Sequence, residues 1–149
     1  MPNGAGGGGG GGIVGVGNSF TGPAEALEII GDHAYAYSGK HQASTTAADH
    51  LKFTSGNYYW VGRLYLNGTT EGGSGSGEVT TAITTFNGAD VSRLKVDSAV
   101  NNDGMATSTY NDLIIPPYTE VVVNVDSSAI NSGRFSTLVM VGRIYRTRD

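Results

Sequence analysis

The chain has 149 residues, no cysteine and a formal net charge of -4, with 13 acidic against 9 basic residues. That length fits one ordinary domain, which buries roughly 70% of its unfolded surface and needs no covalent staple. The missing cysteine excludes disulfides and thiolate chemistry, and the acidic balance disfavours a general nucleic-acid binder.

Residues 1–23 read as a glycine-rich N-terminal arm. Gly6 to Gly12 is an unbroken glycine run, followed by Ile13, Val14, Gly15, Val16 and Gly17. Polyglycine has no side chains to bury and loses the most entropy on ordering. It also passes through gaps too narrow for a Cβ. Two readings stay open, an unstructured leader or an arm threaded between subunits with Ile13, Val14 and Val16 as its anchors. No basic, apolar, small-residue signal opens the chain, and no run approaches the roughly 18 apolar residues of a membrane-spanning helix. The expectation is a soluble protein with no membrane partner.

Residues 24–149 read as a single β domain. Pro23 to Ile30 is the best helical candidate, but it is short and Gly31 follows it. His33, Tyr35 and Tyr37 alternate with Ala34, Ala36 and Ser38, the period of a half-buried strand. Tyr58 to Asn67 is aromatic and β-branched and predicts a strand ending at the turn dipeptide Asn67-Gly68, with a flexible loop from Thr69 to Glu78. Tyr58 and Trp60 fall on one face of that strand and Tyr59 on the other. Val79 to Phe86 runs to a second Asn-Gly pair, Asn87-Gly88. Leu94 and Val96 alternate with Arg93 and Lys95, and Pro116-Pro117 must end the strand that reaches Ile115. Val121, Val123 and Val125 then alternate with polar residues, and Arg134 to Arg146 closes the chain as a strand. Some seven or eight short strands with polar turns predict an all-β sandwich or barrel. Val61-Gly62-Arg63-Leu64-Tyr65 recurs as Val141-Gly142-Arg143-Ile144-Tyr145, which suggests similar places in the sandwich or chance similarity of two strands.

The motifs that would carry chemistry fail on context. Gly10 to Gly15 matches a dinucleotide fingerprint, but a polyglycine run does so trivially, with no strand before it or helix after it. Gly73 to Gly77 fits the nucleophile-elbow formula inside a linker, where nothing strains the serine. His33, His41 and His50 lack the short even spacing of metal ligands on one strand. Asn101 to Gly104 resembles the start of a calcium loop without its glutamate. The expectation is a protein that is not an enzyme and carries no cofactor or metal. The aromatics Tyr35, Tyr37, Tyr58, Tyr59, Trp60 and Tyr65 are candidates for stacking on a glycan or a base, with Tyr58 and Trp60 as the leading pair, against the alternative of core or interface residues. Four basic residues, Arg134, Arg143, Arg146 and Arg148, crowd the last sixteen positions. Arg143, Arg146 and Arg148 are read as charged partner contacts, against the alternative of solvated edge-strand charges.

Leu113-Ile114-Ile115-Pro116-Pro117-Tyr118-Thr119-Glu120-Val121, then Leu138-Val139-Met140-Val141-Gly142-Arg143-Ile144-Tyr145, resembles the last strands of small jelly-roll virion proteins of tailed bacteriophages. Ala34 to Gly39 is similar to their opening strand. The resemblance spans roughly residues 32–147, and its sharpest motif is the Ile115 to Val121 stretch. It implies an antiparallel jelly-roll-like β-sandwich and a capsid decoration or cement protein located in the virion. The expected partners are a major capsid protein or other virion proteins, in a homo-oligomer (a homotrimer). The rival reading is a receptor- or glycan-binding module of a phage fibre or tail.

Overall fold

The computed structural model describes residues 27–70, 79–97 and 106–146. The arm anchors Ile13, Val14 and Val16 and the C-terminal Arg148 lie outside them. Every regular element among the described residues is a strand: β1 (Glu28–Ile30), β2 (His33–Tyr37), β3 (His41–Ala43), β4 (Ala48–Thr54) and β5 (Tyr58–Thr70), then β6 (Val79–Phe86), β7 (Ala89–Asp97), β8 (Ala106–Ile115), β9 (Glu120–Ser127) and β10 (Asn131–Arg146). They form a large sheet in the order β1-β2-β10-β5-β8, with β3 also on β10, and a small sheet in the order β4-β9-β6-β7. All pairings are antiparallel, and only the β1–β2 and β6–β7 pairs join consecutive strands. Apart from the β2–β3 link, which stays on β10, the remaining connections cross between the sheets, which is the doubled Greek key of a jelly roll.

The period-2 pattern sets which side of each strand meets the other sheet. Ala34 and Ala36 of β2, Leu51 and Phe53 of β4, and Val121 and Val123 of β9 are buried at 2% exposure or less. Trp60, Leu64, Leu66 and Ile115 close the core from the large sheet. Burying each side chain of that size contributes roughly 1.5–3 kcal/mol, so the interior carries most of the stability.

Several local expectations change on folding. Asn67-Gly68 is not a turn: β5 runs through it to Thr70 because β10 is sixteen residues long and pairs with β5 from Thr70↔Arg134 to Tyr58↔Arg146. The Asn67 side chain is used inside the sheet, its amide donating to Thr137 Oγ1 at 3.3 Å and its oxygen accepting from Ser108 Oγ at 2.7 Å. Asn87-Gly88 is a true hairpin turn, with φ of 50° and 86°, values that a two-residue connection with left-handed backbone requires. The C-terminal part of the helical candidate, Glu28–Ile30, is a strand laid on β2. Three residues cannot hold a helix when a neighbouring edge offers backbone partners.

Two serine hydroxyls replace missing ladder bonds. Between β2 and β3 the chain leaves β10 for three residues, with Gly39 at φ 81°. Ser38, wholly buried, fills the gap: its Oγ accepts from Leu138 N at 2.8 Å and its own N–H donates to Leu138 O at 3.0 Å. Ser55 does the same after β4, accepting from Thr119 N at 2.8 Å and donating to Pro116 O at 2.7 Å. Each holds a sharp departure of the chain at a point where no strand partner is available.

The internal echo is a physical pair. Gly62 and Gly142 stand directly opposite each other in the β5–β10 ladder. The Trp60 indole lies over both on the core side, so a Cβ placed on Gly62 would meet it at 2.8 Å and one on Gly142 at 2.9 Å. Each added Cβ would also collide with the opposite strand's backbone. Glycine is required here by a close approach of backbone and ring.

Candidate interaction surface

The same alternation that buries Trp60 turns its neighbours outward. Because side chains of directly paired residues share a face, the register collects one set on the outside of the large sheet. Tyr59 sits opposite Tyr145, Tyr65 opposite Tyr110 and Val139, and Val61 opposite Ile114 and Arg143. Tyr35 pairs with Val141, and Tyr37 with Val139. Among the described residues, eight of the twelve exposed large apolar side chains lie on this one face: Ile30, Tyr37, Tyr59, Val61, Tyr110, Ile114, Val141 and Tyr145. Ile114 is 61% exposed and Tyr145 53%. A contiguous apolar face of this kind marks a contact surface.

The charges on the face are satisfied from within the chain. Arg63 Nε donates to Asp112 Oδ1 at 2.7 Å, and its guanidinium lies 4.3 Å from the Tyr110 ring centre. The hydrogen bond to Asp112, then one to Tyr65, pushes the Arg63 value upward, so the guanidinium stays charged and anchored. Arg143 reaches Asp32 at 3.5 Å, and His33 lies 3.5 Å from the same carboxylate. The result is a largely apolar surface whose two central arginines are tied to carboxylates of the same chain.

Its relief is a ridge between two depressions. One, of about 560 Å³, is lined by Val61, Arg63, Asp112, Ile114 and Val141. The other, of about 440 Å³, is lined by His33, Tyr35, Val141 and Arg143. Val141 belongs to both and separates them. Both depressions are open to solvent above the Gly62–Gly142 pair.

The structure redistributes the sequence candidates. Tyr58 and Trp60 are 7% and 0% exposed and belong to the core cluster, so neither ring is open to a sugar. Alternation separates two faces correctly but does not say which is inward, and packing of the two sheets assigned these rings to the interior. Tyr59 and Tyr145 are the exposed aromatic neighbours instead. Arg143 is on the outward face, and Arg146 is exposed at the end of β10, opposite Tyr58. Arg134 is buried, at 3% exposure, which removes it from the solvated tail.

A second cluster sits where β3 hands the chain to the small sheet. The rings of His41 and His50 stack with centres 3.9 Å apart and planes 20° off parallel. His41 Nε2 contacts Ser38 O at 2.9 Å, and Asp49 beside His50 accepts from Asn124 Nδ2 at 2.8 Å. Burial, then the neighbouring His41, pulls His50 down to about 4, against a smaller opposing pull from Asp49. The three histidines do not converge, and the described residues hold no group of three metal-ligating side chains.

No protein-family model matches the chain, and no curated protein matches it. Among solved structures, the chain is similar to a chain in a structure of infectious bursal disease virus, Gx strain. That match has 12% identity and a TM-score of 0.41, covering 80% of this chain and 37% of that one. It is also similar to a chain of the crystal structure of the T13 IBDV viral particle, with 14% identity and a TM-score of 0.39, covering 81% of this chain and 40% of that one. The chain thus spans about two fifths of the length of the chains it matches. Neither match is to a tailed-phage protein, and the phage assignment rests on the sequence resemblance alone.

Proposed function

We propose that the protein is a structural component of a virus particle, a decoration or cement protein of a tailed-phage capsid. It acts by contact with the major capsid protein or other virion proteins and not by catalysis. The observation that carries this reading is the outward face of the large sheet, where eight large apolar side chains surround charges already neutralised within the chain. Such a face gains free energy only when another protein covers it, and covering it costs no unpaired charge. The N-terminal arm would add a second attachment, and linked attachments raise avidity without new contacts.

The test is co-sedimentation of the full chain with phage capsids lacking it, beside a variant without residues 1–17. Binding that vanishes with the arm supports cementing through the arm and the face together. A full chain that stays in the supernatant with every capsid component sinks the proposal.

A second reading, a receptor- or glycan-binding module of a fibre or tail, is favoured by one observation. Tyr59 and Tyr145 lie side by side and exposed, a geometry suited to stacking on a sugar. Glycan binding that is lost in Tyr145→Ala while capsid binding stays absent would select it.

A further inference from the structure

The two Asn-Gly pairs of the β domain share a chemistry that a contact role leaves unused. Asparagine is a thermally labile residue, because its side-chain carbonyl carbon lies within a five-membered ring's reach of the next backbone nitrogen. Glycine at that next position has no Cβ to block the approach. We propose that Asn87 is a modification site, at which the chain converts itself to aspartyl and isoaspartyl forms with loss of ammonia, while the sheet holds Asn67 inert despite the same neighbour.

The step balances with water as its only co-reactant. The Gly88 backbone nitrogen gives its proton to solvent base, and its electron pair forms a bond to Asn87 Cγ. The Cγ–Nδ2 bond breaks and the amide takes up a proton and leaves as ammonia, which closes a succinimide. Water then opens the ring at either carbonyl. Breaking the new bond to Cγ gives aspartate at position 87, and breaking the original peptide bond gives isoaspartate, with the main chain running through the former side chain. One water enters, one ammonia leaves, and nothing is oxidised or reduced.

The geometry at Asn87 favours each part of this step. Asn87 and Gly88 are exposed and occupy the centre of the β6–β7 turn, with φ of 50° and 86°, outside the ladder. Nothing lies within 4 Å of where a Cβ on Gly88 would stand, so water reaches the peptide nitrogen and the peptide has room to turn. Asn87 is also held at both ends by Glu120: its Oδ1 accepts from Glu120 N at 2.9 Å, and its own N–H donates to Glu120 O at 2.9 Å. A backbone N–H on Oδ1 draws electron density from Cγ and steadies the negative charge that grows on the oxygen during attack.

Asn67 has none of this freedom. It is half-buried and Gly68 is buried, in a strand paired on one side with β10 and on the other with β8. Its amide donates to Thr137 Oγ1 and its oxygen accepts from Ser108 Oγ. Attack by Gly68 would pull a peptide out of the sheet interior and break both side-chain bonds. At Asn87 the aspartyl product keeps an acceptor for Glu120 N, whereas the isoaspartyl product lengthens the main chain inside a two-residue turn and loosens the hairpin. Either product makes the formal net charge of -4 more negative by one.

The experiment incubates the full chain in mildly alkaline buffer, folded and separately in concentrated guanidinium, with peptide mapping by mass spectrometry and an isoaspartate assay. In the folded chain Asn87 should convert faster than Asn67 by at least about tenfold, since Asn67 must first give up two side-chain hydrogen bonds and its ladder. In denaturant the two sites should convert at similar rates. Heavy-oxygen water should label the product, which marks ring opening by solvent, and Asn87→Asp should end ammonia release at that site with the circular dichroism unchanged. A folded chain whose Asn87 stays intact over the time in which the denatured chain converts overturns the proposal, as does an Asn67 that keeps pace with Asn87 in the folded state. An equal gap between the sites in denaturant also overturns it, because the cause would then lie in the flanking residues and not in the fold.

Discussion

The two sheets show their outer sides to solvent very differently. On the small sheet, strands β4, β6, β7 and β9 place Lys52, Thr81, Arg93, Lys95, Glu120 and Asn124 outward, with Ile83 and Val122 half-buried among them. That is the polar exterior an antiparallel sandwich normally carries. The large sheet places tyrosines, valines and Ile114 in the same geometric role. Both sheets contribute equally ordinary residues to the core, so the contrast lies entirely in the outward half of each alternation. A strand needs only one apolar face to fold. The second apolar face on β10 and β5 is not needed for the two described sheets to pack on each other.

The comparison breaks most easily at the glycine pair beneath the apolar face. Gly62→Ala forces a Cβ against the Trp60 ring and the β10 backbone, and overpacking of this kind costs about 2–3 kcal/mol. Thermal unfolding should show that loss, whereas Gly88→Asn at the hairpin, with open space around it, should cost under about 1 kcal/mol. Equal losses at the two sites would mean that the ring does not constrain the large sheet.

The junction between the sheets gives the next effect. His50 has an ordinary value near 6.5 when unfolded and about 4 when folded. Between those values the unfolded chain binds a proton that the folded chain refuses. The associated stability is therefore whole above about pH 6.5, falls as pH drops, and levels off below about 4. After allowance for the exposed part of the ring, the loss between pH 7 and 4 is about 1–2 kcal/mol. His50→Gln should flatten that part of the pH–Tm curve, and an unaltered slope would show that the stacked pair does not clasp the sheets.

The smallest effect on stability is the sharpest on the comparison. Tyr145→Ser and Thr81→Ser, one on each outer side, should both change unfolding free energy by less than about 0.5 kcal/mol in the monomer. Only the first should reduce binding of a hydrophobic dye at the native surface. If both variants bind dye alike, the two faces are not different in kind.

Much of the sandwich was legible in the residues because alternation is local. β2, β6, β7 and β9 follow from it, as does the stop at Pro116 and the turn at Asn87-Gly88. Asn67-Gly68 was misread because the same dipeptide can sit in a long ladder once a sixteen-residue partner is present. Tyr58 and Trp60 were placed on one face correctly and given the wrong surroundings. The stacking of His41 on His50, nine positions apart across a change of sheet, left no signal in spacing.

By itself the sequence determined that this chain is all-β, which residues share a side of each strand, and that a Val-Gly-Arg segment occurs twice. Those facts depend on periods of two residues and on what glycine and proline permit. Only the tertiary structure decided which side faces the core, that the glycines of the two segments oppose each other under one indole, and that the leftover apolar side forms a continuous face. These are matters of which distant strands become neighbours, and strand order is set by the summed packing of both sheets, which no local run of residues contains.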